Sequence, residues 1–117
     1  MTIQAGWGIE LYTDHRGQSP VAEFLGTLPE RERAEARNAF RLLREFGTVL
    51  GMPHAKPVTG HRKLWELRAG PVRLFYFAHT GRRFVILHAF RKKSQKTPTR
   101  EIEIAERRMS KVIEGER

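Results

Sequence analysis

The chain is predicted to be a small α+β domain in the order strand, helix, helix, three antiparallel strands, helix. Two observations predict it. Residues 64–98 hold three runs rich in aromatic and aliphatic side chains, 64–68, 72–77 and 83–90, separated by Ala69-Gly70-Pro71 and by Thr80-Gly81. Such runs with turn residues between them form an antiparallel meander. Outside that stretch apolar residues recur at helical spacing, which puts helices against the sheet. With those helices packed on one face, the other face is expected to be a shallow open groove.

Each element has a local reason. Trp7 to Tyr12 alternates and ends at the turn residues Asp14-His15-Arg16-Gly17, so it reads as a first strand that pairs with the meander. Ser19-Pro20 supplies an N-cap and a first-turn proline for a short helix through Leu25, ended by Gly26. Thr27 and Glu30 have the spacing of a capping box, which opens a longer helix to about Phe46 and Gly47. Its apolar side is Ala36, Ala39, Phe40, Leu43 and Phe46. Residues 48–62, with two prolines and two glycines, read as a loop. The last helix, about 98–114, starts at Thr97-Pro98 and presents Ile102, Ala105, Met109, Val112 and Ile113.

The turns imply a register. A two-residue Thr80-Gly81 loop sets His79 opposite Arg82, Phe77 opposite Phe84 and Arg73 opposite His88. The first hairpin sets Leu67 opposite Leu74 and Arg68 opposite Arg73. Alternation then gives a core face of Trp65, Leu67, Leu74, Tyr76, Val85 and Leu87, and a second face of Glu66, Arg68, Arg73, Phe75, Ile86, His88 and Phe90. Two arginines across a ladder repel by up to about 1 kcal/mol, which splaying or an anion must offset.

At 117 residues without cysteine, the chain is one domain, 1–117, that buries roughly 65% of its unfolded surface without disulfides or thiolate metal sites. No signal pattern opens it and no apolar run is long enough to span a membrane, so a cytoplasmic protein with no membrane partner is expected. The net charge of +9 is unevenly spread. Residues 1–60 hold 7 Lys/Arg and 7 Asp/Glu, residues 101–117 hold 4 and 5, and residues 61–100 hold 11 against the single Glu66. A block of one sign on the meander and its tail fits a polyanion, nucleic acid above all.

Familiar catalytic signatures are absent: there is no phosphate-cradling glycine loop, no paired histidines on a helix and no nucleophile elbow. His54 and His61 have no companions at ligand spacing, so neither metal nor cofactor is expected. What the pattern offers is a row of Arg68, Arg73 and His88 near Glu66, with Arg91, Lys92, Lys93 and Lys96 in the tail and Lys63 ahead of the meander. Guanidinium groups suit the charge of a phosphoryl transition state, and histidine exchanges protons near neutral pH. Since RNA carries its own nucleophile, the 2′-hydroxyl, cleavage without a metal is feasible. Phe90 is a candidate for stacking on a base.

The segments KLWELR, PVRLFYF, VILHAFRKKSQKTP and REIEIAERR resemble the HigB-like, phage-derived branch of the RelE/ParE toxin superfamily. That resemblance implies a RelE-like fold and the toxin of a type II toxin–antitoxin pair: an endoribonuclease that cuts mRNA, usually on the ribosome, and is held by an antitoxin, here expected to be of helix-turn-helix type. It places Arg73 on the transferring phosphate and approximately matches Lys92 and Lys93 to a basic tail after the last strand; the polar row and that tail make Arg68, His88, Glu66 and Lys93 the other catalytic candidates. Arg91, Lys92, Lys96, Lys63 and Phe90 are expected to hold RNA. The lysines of RelE-type enzymes fall where this chain has Leu64 and Glu66, and no tyrosine follows Tyr76, so the general base stays open between His88 and Glu66. The alternative is a non-enzymatic binder, or a gyrase poison as in the ParE branch.

Overall fold

The computed structural model describes residues 6–115 and has the expected order of elements, with additions. Strand β1 (Gly8–Leu11) is followed by α1 (Pro20–Gly26), α2 (Glu30–Phe46), a short 3-10 turn (Gly47–Val49), β2 (Ala55–Pro57), β3 (Trp65–Ala69), β4 (Val72–His79), β5 (Arg83–Arg91) and α3 (Thr99–Gly115). The strands form one mixed sheet in the order β1-β5-β4-β3-β2, in which only β1 runs parallel to its neighbour. The expected loop 48–62 therefore contains both the 3-10 turn and an edge strand. Pro57 sits at the outer end of that edge, where a missing N–H costs no ladder bond.

Helix boundaries follow their caps. Ser19 Oγ accepts from Ala22 N at 3.1 Å ahead of Pro20, as its sequence implies. The capping box at Thr27 does not form. Thr27 closes α1 instead, its hydroxyl donating to Phe24 O, and α2 starts behind Pro29 without a side-chain cap. Glu30 is then released to pair with Arg33 and Arg37 on the solvent side. On the inner side Ala36, Ala39 and Leu43 are buried, but Phe46 is half exposed because α2 ends there at Gly47. Gly47 has φ +60°, and a Cβ would lie 2.5 Å from the Trp7 indole, so the reversal is open only to glycine.

Helices cover both faces of the sheet, not one. Val21, Leu28, Ala36, Ala39 and Leu43 of the α1–α2 region pack on Leu67, Leu74, Tyr76, Phe84 and Ile86. Ala105 and Met109 of α3 pack on Phe75, Phe77, Val85, Leu87 and Phe90. The open groove expected on the second face is thus filled by α3, whose apolar stripe is the one expected; what remains open is the polar end of that face.

The first hairpin has the expected register, with Arg68 opposite Arg73. The second does not. His79 pairs with Arg83 around a three-residue turn in which Gly81 and Arg82 have φ of +77° and +56°, so Phe77 meets Val85. A one-residue shift exchanges the faces of β5, which sends Ile86 to the α1–α2 side and Val85 and Leu87 to the α3 side. An irregularity opposite Phe75/Tyr76 adds a second residue, so His88 pairs with Phe75 and Arg73 with Phe90. The two shifts cancel in parity. His88 and Phe90 keep the face expected of them while losing the partners expected of them.

Candidate functional site

Strands β3 and β4 deliver Arg68 and Arg73 side by side, and β3 delivers Glu66 one pleat away. Glu66 is the buried charged residue of the core, at 2% exposure. Its Oε2 lies 3.4 Å from Arg73 Nε and 3.8 Å from Arg68 Nε, without a hydrogen bond to either. Glu66 supplies the anion that the repulsion across the ladder demands, and the three charges together leave a surplus cation. Arg73 is further fixed by its own turn, where Nη1 donates to Gly70 O at 2.6 Å and Val72 O at 3.1 Å. Burial lowers its pKa; Glu66 opposes that and Arg68 adds to it.

Beyond the ladder the chain leaves β5 as Lys92-Lys93-Ser94-Gln95, tied down where Lys92 N donates to Pro71 O. With Arg68 and Arg73 these four residues line an open depression of about 580 Å³. Four cations therefore converge on one hollow with Glu66 behind them. Lys96 falls in a neighbouring hollow of about 340 Å³ together with Lys56, Glu66 and Phe75.

Other candidates are placed elsewhere. Arg91 turns to α2, where Glu32 takes both its terminal nitrogens at 3.0 and 2.6 Å. That pair raises the Arg91 pKa and lowers that of Glu32. Lys63 lines an apolar pocket of about 200 Å³ with Trp65, Tyr76 and Phe84, on the α1–α2 side. Phe90 is buried against Phe75 and stacks with His88, so it is not an exposed platform.

His88 is engaged by α3. Its Nε2 lies 2.6 Å from Glu101 Oε1 and its Nδ1 3.4 Å from Arg108 Nη1. Arg108 can only donate, so Nδ1 accepts and the proton sits on Nε2, facing the carboxylate. Burial lowers the His88 pKa, with Glu101 opposing and Arg108 adding. A histidine whose folded pKa is depressed gives the folded state stability that is full above its unfolded value and is lost as pH falls through the folded one. The melting temperature should therefore drop as pH falls below about 6.5, and His88→Gln should flatten that part of the profile; an identical slope in the variant would place the effect elsewhere. Nothing in the expected row of site residues points to Glu101 or Arg108. Their one signal is helical, Glu101 and Arg108 being two turns apart on α3, and it needs the docked helix to be read.

His61 pairs with Glu106 of α3 at 2.8 Å, while His54 lines a hollow between α2 and β3. No group of three metal-ligating side chains converges among the described residues, and no helix among them is long and apolar enough to cross a membrane. Residues 23–110, which span α2, the whole meander and most of α3, match the family model described as Phage derived protein Gp49-like (DUF891). No curated protein matches the chain. The chain belongs to this Gp49-like family, whose members are phage-derived and commonly toxin-like.

Proposed function

We propose that the protein is a toxin of the RelE/ParE type, close to its HigB-like branch, that cleaves mRNA at the Arg68–Arg73 depression. The observation that carries this reading is the pairing of two arginines on rigid strands beside Lys92 and Lys93, with a single buried carboxylate to hold them. An RNA phosphate neutralises the cation that Glu66 leaves over. The 2′-oxygen attacks phosphorus, the bond to the 5′-oxygen breaks, and a 2′,3′-cyclic phosphate is left. The arginines stabilise the extra charge. Lys93 gives the proton to the departing 5′-oxygen, and water takes the proton of the 2′-hydroxyl. The reaction proceeds in the cytoplasm on ribosome-bound mRNA without a metal, and a helix-turn-helix antitoxin covers the same cations with carboxylates.

The engagement of His88 by Glu101 favours a second reading, a toxin that binds nucleic acid without cutting it. Both readings require salt-sensitive binding. Four cations on single-stranded RNA give a log–log salt slope of about −3, and Lys92→Ala with Lys93→Ala should reduce it to about −1.5. A slope near zero removes both. Cleavage that survives EDTA and ends in a cyclic phosphate selects the enzyme; tight binding with intact RNA selects the binder.

A further inference from the structure

A second hollow, of about 390 Å³, opens beside the arginine depression at the end of β5. Lys93 and Ser94 line both, so the two are adjacent. Among its walls are Phe24 of α1, His88, Phe90 and Arg91 of β5, and Arg100 and Glu101 in the first turn of α3. We propose that this hollow is a nucleobase site that selects guanine, with Glu101 as the residue that reads it. The inference rests on the RNA-binding reading of the neighbouring depression.

Size and surface fit a single base. The hollow is roomy enough for a purine, and the His88 ring, 14% exposed and backed by Phe90 at 5.8 Å and 19°, is a flat surface held in its wall. Base recognition in single strands uses such a surface together with hydrogen bonds to the base edge. A phosphate held by Arg68 and Arg73 puts the adjoining nucleoside within one backbone step of the shared wall.

Selectivity follows from the carboxylate. Glu101 Oε1 is fixed by His88, and Oε2 lies 3.9 Å from Nη2 of Arg100, a side chain 81% exposed. Glu101 is 16% exposed, so it is largely withdrawn from water yet lines the hollow. An ionised carboxylate only accepts hydrogen bonds. Guanine presents two adjacent donors, N1–H and the N2 amino group, to such a pair of oxygens. Adenine and cytosine present a ring nitrogen acceptor beside their single amino group, and uracil presents one N–H between two carbonyls; each sets an acceptor against the carboxylate.

The test uses the full-length protein and short 2′-O-methyl oligouridines carrying one central guanine, inosine or adenine, with affinity read by fluorescence anisotropy. The wild type should bind the guanine strand about tenfold more tightly than the adenine strand, a bidentate contact's discrimination, with inosine between them because it lacks the N2 amino group. Glu101→Gln should bring guanine and adenine to within about twofold without weakening the adenine strand. Lys92→Ala with Lys93→Ala should weaken all three alike. Equal binding of the three strands by the wild type overturns the base site while leaving RNA binding intact. A guanine preference that survives in folded Glu101→Gln overturns the role of Glu101. Failure to bind any strand overturns the RNA reading together with the inference. The inosine comparison needs no variant and so holds if Glu101→Gln does not fold.

Discussion

Arg73→Ala should cut RNA cleavage by about 10²- to 10³-fold, the loss typical of one preorganised charge donor, and should relieve growth arrest when the toxin is expressed. The expectation comes from where Arg73 is held. It sits in β4 between β3 and β5, and Nη1 is tied to Gly70 O and Val72 O. Nε faces Glu66, which leaves Nη2 to meet a phosphate in the depression. Without that guanidinium Glu66 still has Arg68 at 3.8 Å as a counter-charge, which limits the loss of stability. Of the carbonyls it serves, Gly70 O lies in an exposed turn and Val72 O at the head of β4, and the loss of these contacts costs about 1 kcal/mol. The melting temperature should fall by only a few degrees while cleavage drops by that factor. Arg73→Lys keeps the charge, but an ammonium cannot contact both backbone carbonyls, Glu66 and the phosphate at once, so activity should recover only in part. A folded Arg73→Ala protein that cleaves at the wild-type rate would remove Arg73 from the site.

Much of this arrangement is legible in the chain because local rules determine it. Ser19-Pro20 capping, the α3 stripe and the Arg68–Arg73 pair each depend on a few neighbouring residues, and each is found as expected. What sequence does not reveal is non-local. The Thr80–Arg82 turn takes three residues because Arg82 adopts a left-handed backbone conformation that its side chain does not advertise. The added residue at the Phe75/Tyr76 irregularity then moves His88 away from Arg73 and towards Glu101. The covering of the second face by α3 is hidden for a related reason: a helix with one apolar stripe fits either face of a sheet, and periodicity alone does not choose. Charge alone points Arg91 to RNA, yet Glu32, 59 residues away, reaches it first. Long-range ion pairs leave no spacing signature.

Glu66 separates structural from chemical work at this site. As the shared counter-charge of Arg68 and Arg73, its replacement by Ala leaves two guanidinium groups facing each other on one ladder with nothing between them. Removing one member of a buried ion pair costs about 3–5 kcal/mol. Here Arg68 is 30% and Arg73 17% exposed, so both can swing partly into water, and about 2–3 kcal/mol is the expected loss. For a domain of this size that corresponds to a fall in melting temperature of roughly 10 °C. Phosphate or sulfate in the buffer should restore part of it by occupying the vacated position between the cations. The double variant Glu66→Ala with Arg73→Ala should be more stable than the sum of the two single changes implies, because the second substitution removes the repulsion that the first exposes. A general base behaves differently. If Glu66 takes the 2′-proton itself, Glu66→Gln abolishes cleavage at an almost unchanged melting temperature, and neither anions nor the second substitution help. Its carboxylate is nearly closed off from solvent and its Oε2 is turned to the two arginines, so the geometry favours the counter-charge, and stability is the property that should respond first.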